Sequence, residues 1–314
     1  MWRPSCSHES MKARAELYAQ LRAFFMSRGV LEVETPVLSK SGATDPHLES
    51  LQVDQDKTYY LQTSPEFAMK RLLASGIGDI YQLCKSFRRN EVGTRHNPEF
   101  TMLEWYRLGF SLEELMSEIY DLVSDVLDLP PGYRVVTYKK AFNDGLAINP
   151  FHESLSSLQK MCIQEANYEG PLLDRDGCLD LLLSYCIEPS LGVDEPCFLV
   201  DYPESQAALA RILVDEDGDR VGKRAELYIR GIELANAYDE LTDAAEQGRR
   251  FDEDLRRRTE LGLASVNPDM QLLQALEHGI PACAGVALGI DRLLMLKVGA
   301  SSLANVIAFP DEHA

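Results

Sequence analysis

The 314 residues carry 31 Lys and Arg against 50 Asp and Glu, a net charge of −19, and 45% of them are hydrophobic. That apolar share supplies a sizeable core for one large domain or two small ones, while the acidity repels phosphate backbones on average and disfavours extended nucleic-acid binding. There is no apolar run of the roughly 18 to 20 residues a membrane helix needs, no signal-peptide segment at the start, and no CxxC pair among seven scattered cysteines, so the sequence predicts a soluble cytoplasmic chain with reduced thiols and neither a disulfide framework nor a zinc site.

Residues 11–28 predict a helix, because Leu17, Leu21, Phe24 and Phe25 form one apolar stripe and Gly29 offers a C-terminal stop. Residues 30–35 alternate like a strand that Pro36 ends. Residues 58–63 read as a short strand. Ser64, Pro65 and Glu66 then open a helix as N-cap, first-turn proline and dipole-facing carboxylate, and it runs to about Ser75. Two strands, 79–88 and 99–107, flank a polar loop, and Met102, Glu104 and Tyr106 share one face of the second. Residues 112–127 predict a helix. The signal over 128–195 is weak and reads as helical, so an insertion is placed at about 112–195. Residues 225–239 look like a strand, 242–260 a highly charged helix, 282–288 a small-residue strand, and 290–298 an apolar helix that Gly289 introduces.

Several of these segments carry a family pattern. Phe87-Arg88 followed by His96-Asn97-Pro98-Glu99-Phe100-Thr101-Met102-Leu103-Glu104 resembles motif 2 of class II lysyl-tRNA synthetases. The helix, strand and Pro36 at 11–36 resemble motif 1, and Gly285 to Arg292 resembles motif 3. Ser64-Pro65-Glu66 with Lys70-Arg71-Leu72, and Glu233-Leu234-Ala235-Asn236 with Glu240-Leu241-Thr242-Asp243, fit the same subgroup. The resemblance spans nearly the whole chain in order. With the motif 1 helix beginning by about residue 11, no anticodon-reading barrel fits ahead of it. Such a stand-alone core resembles the ligases that attach β-lysine to translation elongation factor P.

The resemblance implies an α+β class II catalytic fold, a mainly antiparallel sheet flanked by helices, as a single domain over 1–314. It implies amino-acid activation with ATP and Mg2+, (R)-β-lysine or lysine as substrate, elongation factor P as acceptor, and a homodimer, with tRNA and membrane disfavoured as partners. Arg88 would contact the α-phosphate and the substrate carboxylate, since a planar guanidinium binds two oxygens at once. Arg292 would hold the far phosphates, Glu233 the Mg2+, and Gly289 would let the purine approach. Arg89, Asn90, Glu91, Asn97 and Leu234 join the ATP side. The family's acidic residue after Phe-Arg comes one place late here, so either Asn90 or Glu91 would meet adenine. Ser64, Pro65, Glu66, Glu104, Tyr106, Asn236 and Glu240 would line the amino-acid pocket, because a dication needs carboxylates and acceptors. Glu233 and Glu240 have opposite strand parity, which a bulge or a strand end between them would reconcile. A tRNA-charging enzyme and an amide ligase for a small amine are the alternatives. A sensor without catalysis would be expected to lack Arg88, Arg292 or Glu233.

Overall fold

A twenty-residue helix, α1 (His8–Ser27), opens the chain. It begins three residues before the apolar stripe suggests, because Ser7 caps it by accepting the Ser10 N–H at 3.0 Å. Leu17, Leu21 and Phe25 bury completely or nearly so, and Gly29 at φ +70° stops the helix. The computed structural model describes residues 2–54 and 56–314. The chain divides into two units: Met1–Phe110, Asp121–Leu129 and Leu241–Ala314 form the first, and Ser111–Tyr120 with Pro130–Glu240 the second.

In the first unit β1 (Leu31–Glu32) is shorter than the strand predicted over 30–35. β2 (Leu38–Ser39), β3 (Gln52–Asp54) and β4 (Thr58–Leu61) make a small antiparallel sheet in the order β2-β4-β3. α2 (Glu66–Ala74) follows, its first N–H held by the Ser64 hydroxyl at 3.0 Å. β5 (Ile80–Phe87) and β6 (Glu99–Leu108), the two strands expected around the polar loop, then form an antiparallel hairpin from Ile80 opposite Tyr106 to Phe87 opposite Glu99. β1 lies parallel to β5 through Leu31–Ile80 and Glu32–Tyr81 only. α3 (Leu112–Leu127) comes next and is shared between the units, its residues up to Tyr120 belonging to the second and those from Asp121 to the first.

The second unit holds a strand the pattern did not reveal, β7 (Arg134–Thr137), ahead of α4 (Tyr138–Leu146), α5 (Leu155–Glu165) and α6 (Arg175–Leu182). The strands β8 (Cys197–Pro203), β9 (Ile212–Val214), β10 (Arg220–Ile229) and β11 (Ile232–Asp239) follow. β7 runs parallel to β8, while β8, β9 and β11 are each antiparallel to β10. The single strand predicted over 225–239 is therefore a hairpin. Its turn is Arg230-Gly231, both at positive φ (+53° and +68°), the geometry of a two-residue primed turn. Tyr138, Phe142, Leu179, Leu182, Cys197, Leu199 and Tyr228 centre this unit's core.

The chain then returns to the first unit with α7 (Ala244–Glu260), α8 (Met270–His278), a helix not among those expected, β12 (Cys283–Gly289) and α9 (Ile290–Lys297). β12 pairs antiparallel with β6. Met69 and Leu73 of α2 pack with Phe251, Leu272 and Leu276 against Ile80, Tyr106 and Cys283 of the strands. Helices packed on sheets in which most described strand pairs are antiparallel, with β1–β5 and β7–β8 parallel, make this an α+β fold. All seven cysteines are free thiols.

Candidate active site

Cross-strand register in the first unit stacks a set of side chains on one face. Directly opposite residues in paired strands point the same way, so Gln82, Glu104 and Ala287 form one row, Cys84, Met102 and Gly289 the next, and Ile80, Tyr106 and Gly285 the third. Glu104 is 2% exposed, and its carboxylate accepts the Tyr106 hydroxyl at 2.7 Å. The i, i+2 pair predicted from alternation is thus a hydrogen-bonded couple. Its charge reaches Cys84, whose thiol is pushed up to about 12, first by burial and then by Glu104. Gln82, 3% exposed, belongs to this face too. It stands at an alternating position in β5, the signal that could have found it.

The loop between β5 and β6 is closed at its base, where the Arg88 N–H donates to the Pro98 carbonyl at 2.9 Å. Arg88 is half-buried, 3.4 Å from the Glu91 carboxylate and above the Phe100 ring. Arg89 and Asn90 instead turn to Glu49: the Arg89 guanidinium and the Asn90 amide each donate to its carboxylate at 3.0 Å. Asn90 has φ +64°, which an Asn tolerates better than most side chains. Glu49 is a loop anchor that nothing in the local sequence pattern pointed to. Asn97 is buried and braced at both ends, donating to the Glu99 carbonyl at 2.7 Å and accepting from the Asp311 N–H at 3.0 Å. A nucleotide would meet only what remains of its carboxamide.

Arg292 comes to the same loop. Its Nε donates to the Arg95 carbonyl at 3.2 Å, and one Nη lies 2.7 Å from His96 Nε2. A guanidinium only donates, so His96 Nε2 accepts and this imidazole is neutral there. Consistently, the His96 pKa is pulled down, first by desolvation, then by the Arg292 cation, with Glu91 opposing. The residue before Arg292 anchors α9: Asp291, 3% exposed, accepts the Thr101 N–H at 2.6 Å and pairs with Arg14 at 2.6 Å. Burial works against the Arg14 charge, yet Asp291 raises its pKa overall. Gly289 sits at φ −78°, an ordinary conformation, so no backbone strain demands glycine there. Glu66 is held by Lys70, a nearly fully buried ammonium 2.7 Å away, and Pro65 beside it is buried.

The second unit carries Glu233, Leu234, Asn236 and Glu240 on or just after β11. Tyr228 lies opposite Glu233, whereas Leu227 lies opposite Ala235, so Leu234 is the extra residue of a bulge. The bulge realigns the faces: Glu233, Asn236 and Tyr238 lie opposite Tyr228, Glu226 and Arg224, alternate residues of β10. Glu240 continues that alternation just past the strand, bridged to Ala210. The parity conflict in the sequence is resolved this way. Leu234 itself is buried, so its side chain is not offered to a ligand. Asn236 Oδ1 accepts from Arg224 Nε at 3.2 Å, and donor-only chemistry at the guanidinium fixes which end of the amide faces it. Asn236 therefore offers N–H groups, which suit an oxygen better than an ammonium.

Comparison with known proteins agrees with these motifs. The family model described as tRNA synthetases class II (D, K and N) matches residues 1–313. The protein named elongation factor P--(R)-beta-lysine ligase in Salmonella gallinarum (strain 287/91 / NCTC 13346) is 46% identical over 322 aligned positions, covering 100% of this chain and 98% of that one. Its namesake in Pseudoalteromonas translucida (strain TAC 125) is 48% identical over 318, covering 98% and 97%.

Proposed function

We infer the activity from a settled premise: the chain belongs to the class II tRNA synthetases (D, K and N), and it is an ATP-using ligase of that family. We propose that it adenylates (R)-β-lysine and transfers the β-lysyl group to a lysine side chain of elongation factor P, the reaction the names of its relatives describe for those proteins. The observation that carries the substrate half is Glu104, a buried carboxylate hydrogen-bonded to Tyr106 on a sheet face. A buried anion of this kind is matched by a cationic side chain and not by an apolar one.

In the first step the amino-acid carboxylate attacks the α-phosphorus of ATP and pyrophosphate leaves. Charge gathers on phosphate oxygens, so fixed cations lower the barrier. Arg88 suits that role because its 3.4 Å contact with Glu91 is loose enough for a more highly charged phosphate to replace. Arg292, turned toward the loop by the neutral His96, would hold the distal phosphates. In the second step a neutral lysine amine attacks the acyl carbon of the mixed anhydride, AMP leaves with the bonding pair, and the nitrogen gives up one proton to solvent as the amide forms. Glu66, Glu104, Tyr106 and Glu240 would receive the substrate's ammonium groups.

Mg2+ fits as an ion brought in on the phosphates. Among the described residues no group of three or more His, Cys, Asp or Glu side chains is placed to cage a metal, and Mg2+ commonly uses one or two carboxylates plus phosphates and water. Glu233 would hold it, and the ion would neutralise phosphate charge. We also propose a homodimer through α1 and β1, where Met26 and Leu31 are exposed at 77% and 51%. No helix among the described residues is long and apolar enough to cross a membrane, in keeping with a cytoplasmic reaction. ATP–pyrophosphate exchange across amino acids tests the proposal. The expected order is (R)-β-lysine well above α-lysine, with uncharged amino acids inactive; preference for an uncharged amino acid would refute it.

A further inference from the structure

Behind Asn236 lies a closed network of charge. Arg224 has each of its three nitrogens engaged: Nη2 with Glu226, Nη1 with the Gln206 carbonyl at 2.8 Å, and Nε with Asn236 Oδ1 at 3.2 Å. The Tyr202 ring lies under its guanidinium, 4.3 Å from the centroid. Glu226 is 5% exposed, and its second oxygen accepts the Tyr202 hydroxyl at 2.5 Å and the Tyr228 hydroxyl at 2.7 Å. Both carboxylate oxygens are thereby occupied inside the protein, which leaves Glu226 as a brace and not a ligand for substrate. Burial works against the Arg224 charge, but Glu226 and the surrounding tyrosines keep its pKa well above the ordinary value. A permanently charged donor, fixed on every side, presses on one atom of a candidate substrate-binding side chain.

We propose that Arg224, braced by Glu226, is a positioning residue that locks the Asn236 carboxamide so that its N–H groups face the amino-acid substrate. This inference rests on the proposed amino-acid ligase activity. An unbraced asparagine amide is broad in its terminal torsion and samples both ends. With Oδ1 held by Arg224, it presents donors only, and these serve an oxygen of the amino acid or of its adenylate. Arg224 acts through Asn236 and not on the substrate directly. Lysine at 224 would keep the ion pair with Glu226, but a single ammonium does not reproduce the forked contact that also reaches Asn236.

The test is a double-mutant cycle read by pyrophosphate exchange on the full chain, with (R)-β-lysine varied and thermal midpoints recorded. Arg224→Lys is expected to raise KM for the amino acid about 5- to 10-fold, the scale of one lost oriented hydrogen bond, with kcat and the KM for ATP changed less than about 2-fold. In an Asn236→Ala background the same substitution should add less than about 2-fold, because residues acting through one another are not additive. Asn236→Asp, which keeps an acceptor for Arg224 but has no donor, should raise KM more than Asn236→Ala does. Equal effects of Arg224→Lys in both backgrounds, or near-normal KM in Asn236→Asp, would overturn the assignment alone. Wild-type protein that exchanges pyrophosphate with no amino acid would overturn the ligase reading and this inference with it.

Discussion

The β5–β6 hairpin and the β10–β11 hairpin both carry arginines beside glutamates, but they hold them in opposite ways. On the first, Arg88 rests 3.4 Å from a half-exposed Glu91 on a loop, and Arg292 leans on a neutral imidazole. On the second, Arg224 is clamped by Glu226, a backbone carbonyl, an asparagine and an aromatic ring. A cation that is to receive an incoming anion needs partners it can exchange. A cation that sets geometry needs partners it keeps. The contrast separates candidates for catalysis from candidates for architecture even though both are arginines near acidic groups.

The largest expected effect breaks the exchangeable side. Arg88→Ala should cut adenylate formation by about 10²-fold or more, the scale for losing one preorganised charge partner, with an unchanged thermal midpoint. Near-normal exchange in the folded variant would remove Arg88 from the mechanism. Next comes the buried carboxylate: Glu104→Gln keeps the volume but not the charge, and kcat/KM for the amino acid should fall about 10- to 100-fold, as for a charged hydrogen bond, while the KM for ATP holds. A Gln variant that handles β-lysine normally would move the ammonium site elsewhere. A smaller effect tests the loop anchor. Glu49→Ala frees Arg89 and Asn90, and a KM for ATP raised about 3- to 10-fold with little change for the amino acid is expected, from the loss of exposed polar contacts.

The smallest effect concerns stability. Asp254 on α7 accepts the Thr44 hydroxyl at 2.8 Å, and burial, helped by Asp45 and Glu253 and opposed by Thr44 and Arg257, raises its pKa from 3.8 to about 6. The folded protein then holds a proton between these values that the unfolded chain has released. This group's contribution to stability therefore declines as pH rises from about 4 to about 6, and is flat above. Asp254→Asn should remove that slope, so the variant's Tm should exceed the wild type's at pH 7 by more than it does at pH 4. An identical pH profile in both proteins would show that Asp254 titrates normally.

Legibility followed locality. The β5–β6 hairpin was readable to within a residue because its strands alternate and Arg88 to Pro98 is plainly a polar loop. The β10–β11 hairpin looks like one strand in sequence because its turn uses Arg230-Gly231 in place of a more telling Asn-Gly, and Ile229 and Ile232 look continuous across it. The bulge at Leu234 left only a parity conflict as its trace. α8 does carry local signals: Asp269 as cap, Leu272 and Leu276 one turn apart, Gly279 as stop. In the site, motif residues could be named from sequence, but not their partners. Glu49 lies 40 residues from Arg89, and Arg224 is twelve from Asn236 across a turn the sequence hid. Such pairings depend on strand register and loop closure, which no local window contains.

Acyl transfer to a protein lysine is read by intact-mass spectrometry of the acceptor. Purified enzyme, ATP, Mg2+ and (R)-β-lysine are incubated with elongation factor P, and a parallel mixture contains bulk tRNA instead. One β-lysyl adduct on a single lysine side chain of the factor, located by digestion, is expected, with little acid-precipitable charging of tRNA. An unmodified factor beside efficiently charged tRNA would contradict it.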